Sequence, residues 1–170
     1  KMQLQHSLQS VWQKQATQEC EKLALAIYDL AETQHANTQE KLKYDLVVAR
    51  ETLLAMGNVT FDDRTATWRA VNQYTKDARD VELPRMRVGE DWLGQISDAH
   101  AEAPLVDRVQ QLVGGTCTVF QRMNDQGDLL RVATNVIKND GRRAIGTYIP
   151  ATNPDGSANP VARTIREGRT

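Results

Sequence analysis

One arginine stands where a solvent-seeking side chain is out of place. Arg131 lies in the run Leu129–Val136 (LLRVATNV), flanked by Leu130 and Val132. A guanidinium so placed is suited to an anion, because its planar fork makes two parallel bonds to a carboxylate. Such a ligand also needs a few hydroxyl or amide donors and apolar walls that lower the local dielectric. Thr134 and Asn135 follow on the same run, Thr118 and Phe120 share one face of the preceding run Cys117–Arg122, and Tyr148, with Thr147, ends the following run Arg143–Tyr148. Strict alternation puts Arg131 and Asn135 on one face and turns Thr134 away unless a bulge intervenes.

Each of these residues also has a structural reading. Arg131 can lie along the sheet surface or pair with Asp125 or Asp128. Thr134 and Asn135 suit turn and sheet-edge hydrogen bonds. Phe120 suits a core, and Trp68 and Trp92 either pack or roof a pocket. Arg142 and Arg143 follow a turn and read as a solvated pair.

Other chemistries find less support. The sequence has no HExxH, P-loop, GxGxxG or nucleophile-elbow pattern, so an enzyme is not expected. Asp62–Asp63 and Asp77/Asp80 fall on polar stretches, where solvation outweighs acid–base work. His6, His35 and His100 share no ligand spacing, and Cys20 and Cys117 form neither CxxC nor a disulfide framework, so no metal or cofactor is expected and both thiols are expected buried or half-buried. A net charge of −1 with mixed signs gives no basic face for nucleic acid. No run approaches 18 apolar residues, so no membrane span is expected, and the start at Lys1 reads as an excised fragment.

The elements that must position these residues are legible in outline. The first 56 residues contain no Gly or Pro and repeat apolar residues at helical spacing: Leu4, Leu8, Val11; Ala16, Cys20, Leu23, Ile27, Leu30; Leu42, Leu46, Ala49, Leu53, Met56. A continuous helix here would be about 85 Å long and needs a partner along its narrow seam, most simply a second copy. Between Leu30 and Leu42 the seam changes phase at Gln34, His35, Asn37 and Thr38, marking a polar layer, a stutter or a break. Gly57 ends the helix. Thr65–Thr75 alternates with period 2 and is expected to be a strand pairing with Val81–Val88, with Pro84 at an edge or bulge. Pro104 opens a short helix, Leu105–Val113, which Gly114-Gly115 stops. The three β runs follow, divided by Asn124–Gly127 and Lys138–Gly141, whose residue types reverse a chain. Pro150–Pro160 is a turn-rich loop, and Val161–Glu167 a last helix.

The words AVNQ, LPxMxVGxxWLGQ, TVFQRMN, RVATNV and GRRAIGTYIP come in order with matching gaps from about Thr67 to Thr170. In this the chain resembles the Cache 3/Cache 2 fusion domain, the periplasmic ligand-binding region of bacterial methyl-accepting chemotaxis proteins and some sensor histidine kinases. The resemblance implies an α+β fold in which a long dimer-forming helix, residues 1–57, carries a PAS-like antiparallel sheet, residues 58–170. It implies a homodimer, a small organic ligand such as an acetate-like carboxylate over the sheet, and a full-length receptor anchored in the inner membrane with a cytoplasmic signalling domain. An arginine on the second meander strand with a polar residue three positions on contacts the ligand in related sensors, a spacing that Arg131 and Thr134 match. The implied function is extracytoplasmic sensing by a chemoreceptor. The alternatives are the sensor of a histidine kinase, or a dimerisation or partner-docking module without a direct ligand. In the family the chain continues past the position of Thr170 with further strands, so the resemblance implies an unfinished sheet here, and a dimer, strand exchange or a pocket with one side open is expected.

Overall fold

The computed structural model describes residues 2–168, with side chains from residue 11 onward. His6 and the first seam positions Leu4 and Leu8 therefore have no described side chains, and Lys1, Arg169 and Thr170 lie outside the described residues.

Helix α1, Met2–Met56, is unbroken. The polar stretch near residue 35 is accommodated within it: the Thr38 hydroxyl donates to the Gln34 carbonyl at 2.8 Å, one turn back. Cys20, expected buried or half-buried, is exposed, as are Leu23, Ile27 and Leu30 along the same seam. The chain divides into two compact units, one up to Leu46 and one from Val47. The last turns of α1 belong to the second unit, because Ala49, Leu53 and Met56 pack on its core.

Two glycines end the helix and seat it. Gly57 takes φ 126°, and a Cβ there would lie 2.7 Å from the Cα of Gly89; a Cβ on Gly89 would lie 2.3 Å from the Met56 carbonyl oxygen. The helix terminus and the end of the second strand touch backbone to backbone, which only glycine permits.

The second unit is built on a six-stranded mixed sheet of order β3-β2-β1-β6-β5-β4. Its strands are β1 (Val59–Asn72), β2 (Ala78–Val88), β3 (Asp91–Trp92), β4 (Thr118–Arg122), β5 (Leu129–Thr134) and β6 (Thr147–Ile149). β1 and β2 form a long antiparallel hairpin with a register shift opposite Pro84–Met86, and β3 reaches only Arg87 and Val88, so Pro84 lies beyond the reach of the edge strand. β6 joins the halves, parallel to β1 and antiparallel to β5. The sheet curls, since Gln121 of β4 donates to the Pro84 carbonyl of β2 at 2.9 Å although four strand pairings separate them.

The third meander strand departs from expectation. Only Thr147–Ile149 pairs as a strand, while Arg143–Gly146 leaves the sheet, with Arg143 making a single bridge to Ile137. Helix α2, Pro104–Val113, starts on its proline and stops at Gly114 in the left-handed region; α3, Pro160–Glu167, is capped by Asn159, whose side chain accepts from the Val161 N–H.

Two apolar clusters hold the unit. One joins Ala66, Trp68 and Ala70 of β1 to Leu83, Leu130, Val132 and Tyr148. The other seats α2, through Leu105, Val106 and Val109, on Val88, Leu93 and Ala133. Truncating a core side chain such as fully buried Leu130 to Ala would cost about 2–5 kcal/mol, from lost transfer energy and the cavity left behind.

Candidate functional site

A bulge decides which residues share a face. β5 pairs β4 as Thr118↔Thr134, Val119↔Ala133 and Phe120↔Arg131, leaving Val132 as the extra residue. Thr118 and Phe120 are two apart on β4 and point the same way, so their partners Thr134 and Arg131 also share a side. Strict alternation would have separated them. Leu130 and Val132 turn to the core instead.

On the shared face, Arg131 is half-buried and its guanidinium carbon lies 5.6 Å from the centroid of the Phe120 ring. Its Nη1 donates to the Thr147 hydroxyl at 3.0 Å and to the Ala144 carbonyl at 3.4 Å. Its Nε is buried and has no hydrogen-bond partner. Burial pulls the Arg131 pKa below its ordinary value, because the charged form loses solvation. The geometry is that of a cation short of acceptors, held against an aromatic wall.

The other sequence-derived candidates are engaged by the protein itself. Thr134 is fully buried; its hydroxyl lies 2.7 Å from that of Thr118, donates to the Cys117 carbonyl and accepts from the Val136 N–H. Asn135 ties β5 to α2: its Oδ1 accepts from the Cys117 N–H at 2.9 Å, and its Nδ2 reaches the carbonyls of Gly115 and Val106. Tyr148 pairs with Leu130 and Asn72 on the core side, where its hydroxyl accepts from Asn72 Nδ2 at 3.1 Å. Trp92, on β3, packs on the first cluster under the Arg85 guanidinium, 4.5 Å from its ring. Arg131, Phe120, Thr118 and Thr134 are thus brought to one face, while Tyr148 and Trp92 belong to the core cluster.

Arg143 corrects the reading of a solvated pair. It is 5% exposed and makes a two-pronged ion pair with Asp107 of α2, both oxygens at 2.8 Å. Its remaining donors meet the carbonyls of Thr134, Ala101, Asp98 and Ala99. Burial pushes the Asp107 carboxyl up, but the Arg143 fork and the Ala103 N–H outweigh it and hold it below the usual carboxylate range. No local signal marks this pair, since 36 residues separate its members. Arg85 was also missed; like Arg131, it has a buried Nε without a partner.

Cys117 is half-buried, and burial raises its thiol pKa, which disfavours the reactive thiolate. Among the described residues no group of three or more His, Cys, Asp or Glu side chains could hold a metal ion. No described helix is long and apolar enough to cross a membrane.

A long helix joined to a curled sheet with short helices defines an α+β fold of the PAS-like kind. The family model of the Cache 3/Cache 2 fusion domain matches residues 5–170, and the chain belongs to that family. Cache domains are extracellular sensor modules for small ligands rather than enzymes, which places this chain among sensor domains. Comparison with curated proteins and with solved structures gives no match.

Proposed function

We propose that this domain is the periplasmic ligand-binding part of a bacterial chemoreceptor, and that it senses a small, acetate-like carboxylate at Arg131. The observation that carries the reading is the buried, partnerless Nε of Arg131, half-buried against Phe120. Nε is covered in this structure, so a carboxylate would complete the fork with Nε and the neighbouring Nη2 only once the side chains over them part. Phe120 walls the site, Thr147 orients the guanidinium, and the Thr118–Thr134 pair sets the polar floor. In this reading Asn135, Tyr148 and Trp92 support the site through the sheet.

Residues 1–57 serve as the signalling and dimerisation helix, and residues 58–170 as the sensor module. The exposed seam residues Leu23, Ile27 and Leu30 support a homodimer; with Cys20 and Ala16 their spacing alternates four and three residues, as in a two-stranded coil. Ligand occupancy would bias two arrangements of the dimer, and the helix would carry the shift to a membrane-anchored receptor and its cytoplasmic signalling domain. A docking module with no small ligand is the second reading. It is favoured by the internal satisfaction of Thr134, Asn135 and Tyr148.

Thermal-shift measurements with acetate, propionate and succinate separate the two. A carboxylate at 100 times its dissociation constant adds about 2.7 kcal/mol and raises Tm by about 5–10 °C. Arg131→Ala lowers that rise by the part this site contributes. If no carboxylate raises Tm, or if Arg131→Ala responds like the parent, the carboxylate reading fails.

A further inference from the structure

We infer a second anion site, away from Arg131, in the groove between α3 and the turn joining β4 to β5. The groove encloses about 240 Å³. Arg122, Arg163 and Arg166 line it, against a single carboxylate, Asp125. Arg131 and Phe120 do not take part in it.

The groove is built rather than incidental. The Arg122 Nε and Nη2 donate to the carbonyls of Asn124 and Asp125, both at 2.9 Å, which pins the guanidinium on the turn. Across from it, Asn159 caps α3 and is itself 5% exposed, with Nδ2 bonds to Asn153 at 2.8 Å and to the Tyr74 hydroxyl at 3.3 Å. That anchor fixes where α3 begins and therefore where Arg163 and Arg166 stand.

The lining names the ligand class. Three guanidinium groups against one carboxylate select an anion, and arginine suits the planar fork of a carboxylate. Ala162 and Ile165 of α3 line the same groove, and Ile165 is half-exposed, so there is apolar surface for a hydrocarbon to cover. The volume corresponds to about eight waters at ~30 Å³ each. A carboxylate with a short alkyl body matches charge, surface and size; inorganic anions would leave the apolar part uncovered, and alkyl cations would meet the arginines.

The test is titration calorimetry at low salt with hexanoate, run in the Arg131→Ala chain so that the β5 site cannot contribute. Hexanoate binds that chain, and adding Arg163→Ala and Arg166→Ala weakens binding about tenfold or more, since both side chains are exposed and alanine keeps the helix. Hexylammonium does not bind. The inference is overturned if hexanoate fails to bind Arg131→Ala, if the two helix substitutions leave its affinity unchanged, or if hexylammonium binds as well. The Arg131 reading is tested separately, by thermal shift in the Arg163→Ala, Arg166→Ala chain with Arg131 intact, so failure of either reading leaves the other result untouched.

Discussion

Arg143→Ala is expected to destabilise the sensor module by about 3–5 kcal/mol, the cost of stripping one partner from a buried ion pair. Arg143 is nearly inaccessible, and its removal strands more than a charge. The Asp107 carboxylate would keep only the Ala103 N–H at 2.8 Å, and the carbonyls of Thr134 and Ala101 would lose donors at 3.1 and 2.9 Å. Asp107 anchors α2, and the Thr134 carbonyl belongs to the end of β5, so the loss loosens the second apolar cluster. Urea unfolding followed by circular dichroism and tryptophan fluorescence measures the cost, and Tm should fall by about 6–20 °C for a chain of this size. The pH dependence gives an independent check. The folded Asp107 pKa lies below its unfolded value, so its contribution is fully present above the unfolded pKa, about 4, and is lost as pH falls through the folded value. Asp107→Asn should remove that acid-side component while keeping the amide near Arg143. A cost below about 1 kcal/mol for Arg143→Ala, within the range of an exposed pair, would refute the reasoning. So would unchanged acid sensitivity in Asp107→Asn.

Gly89→Ala should cost at least about 1–3 kcal/mol, because φ 57° and a Cβ contact of 2.3 Å with the Met56 carbonyl both oppose it; chemical unfolding checks this, and a neutral result would mean the helix terminus does not sit on β2 as described. Cys20 lies on the exposed seam of α1, so a parallel in-register dimer would bring two copies of it close; mild oxidation with copper-phenanthroline should give a covalent dimer on non-reducing gels that Cys20→Ser abolishes, and no cross-linked species would argue against that arrangement.

Local patterns carried most of the element assignments. Uninterrupted helix formers across residues 2–56, Pro104 opening α2, Gly114 closing it and the alternation in β1 act over a few residues, and the structure keeps each of them. The ends of the strands were less legible. β1 begins at Val59, before any clean alternation, because β2 pairs with it through the irregular stretch Phe61–Thr65. β6 is short, and Arg143, expected on the same strand, lies outside it and pairs with Asp107 of α2.

The sequence alone determined the helix, the order of the β runs and the resemblance to Cache sensors, because propensity, turn chemistry and ordered words are properties of neighbouring residues. It also singled out Arg131, an arginine between two apolar residues. Tertiary structure decided what faces what. One extra residue, Val132, turns Thr134 to the side of Arg131, and alternation along a strand cannot reveal where a partner strand skips a residue. Register likewise sent Tyr148 into the core beside Leu130, and packing against α2 converted Arg143 from an apparent surface charge into a buried anchor. Pairings between residues 18 to 76 positions apart, such as Asn135 with Cys117 or Tyr148 with Asn72, depend on the assembled sheet and leave no mark on the local sequence.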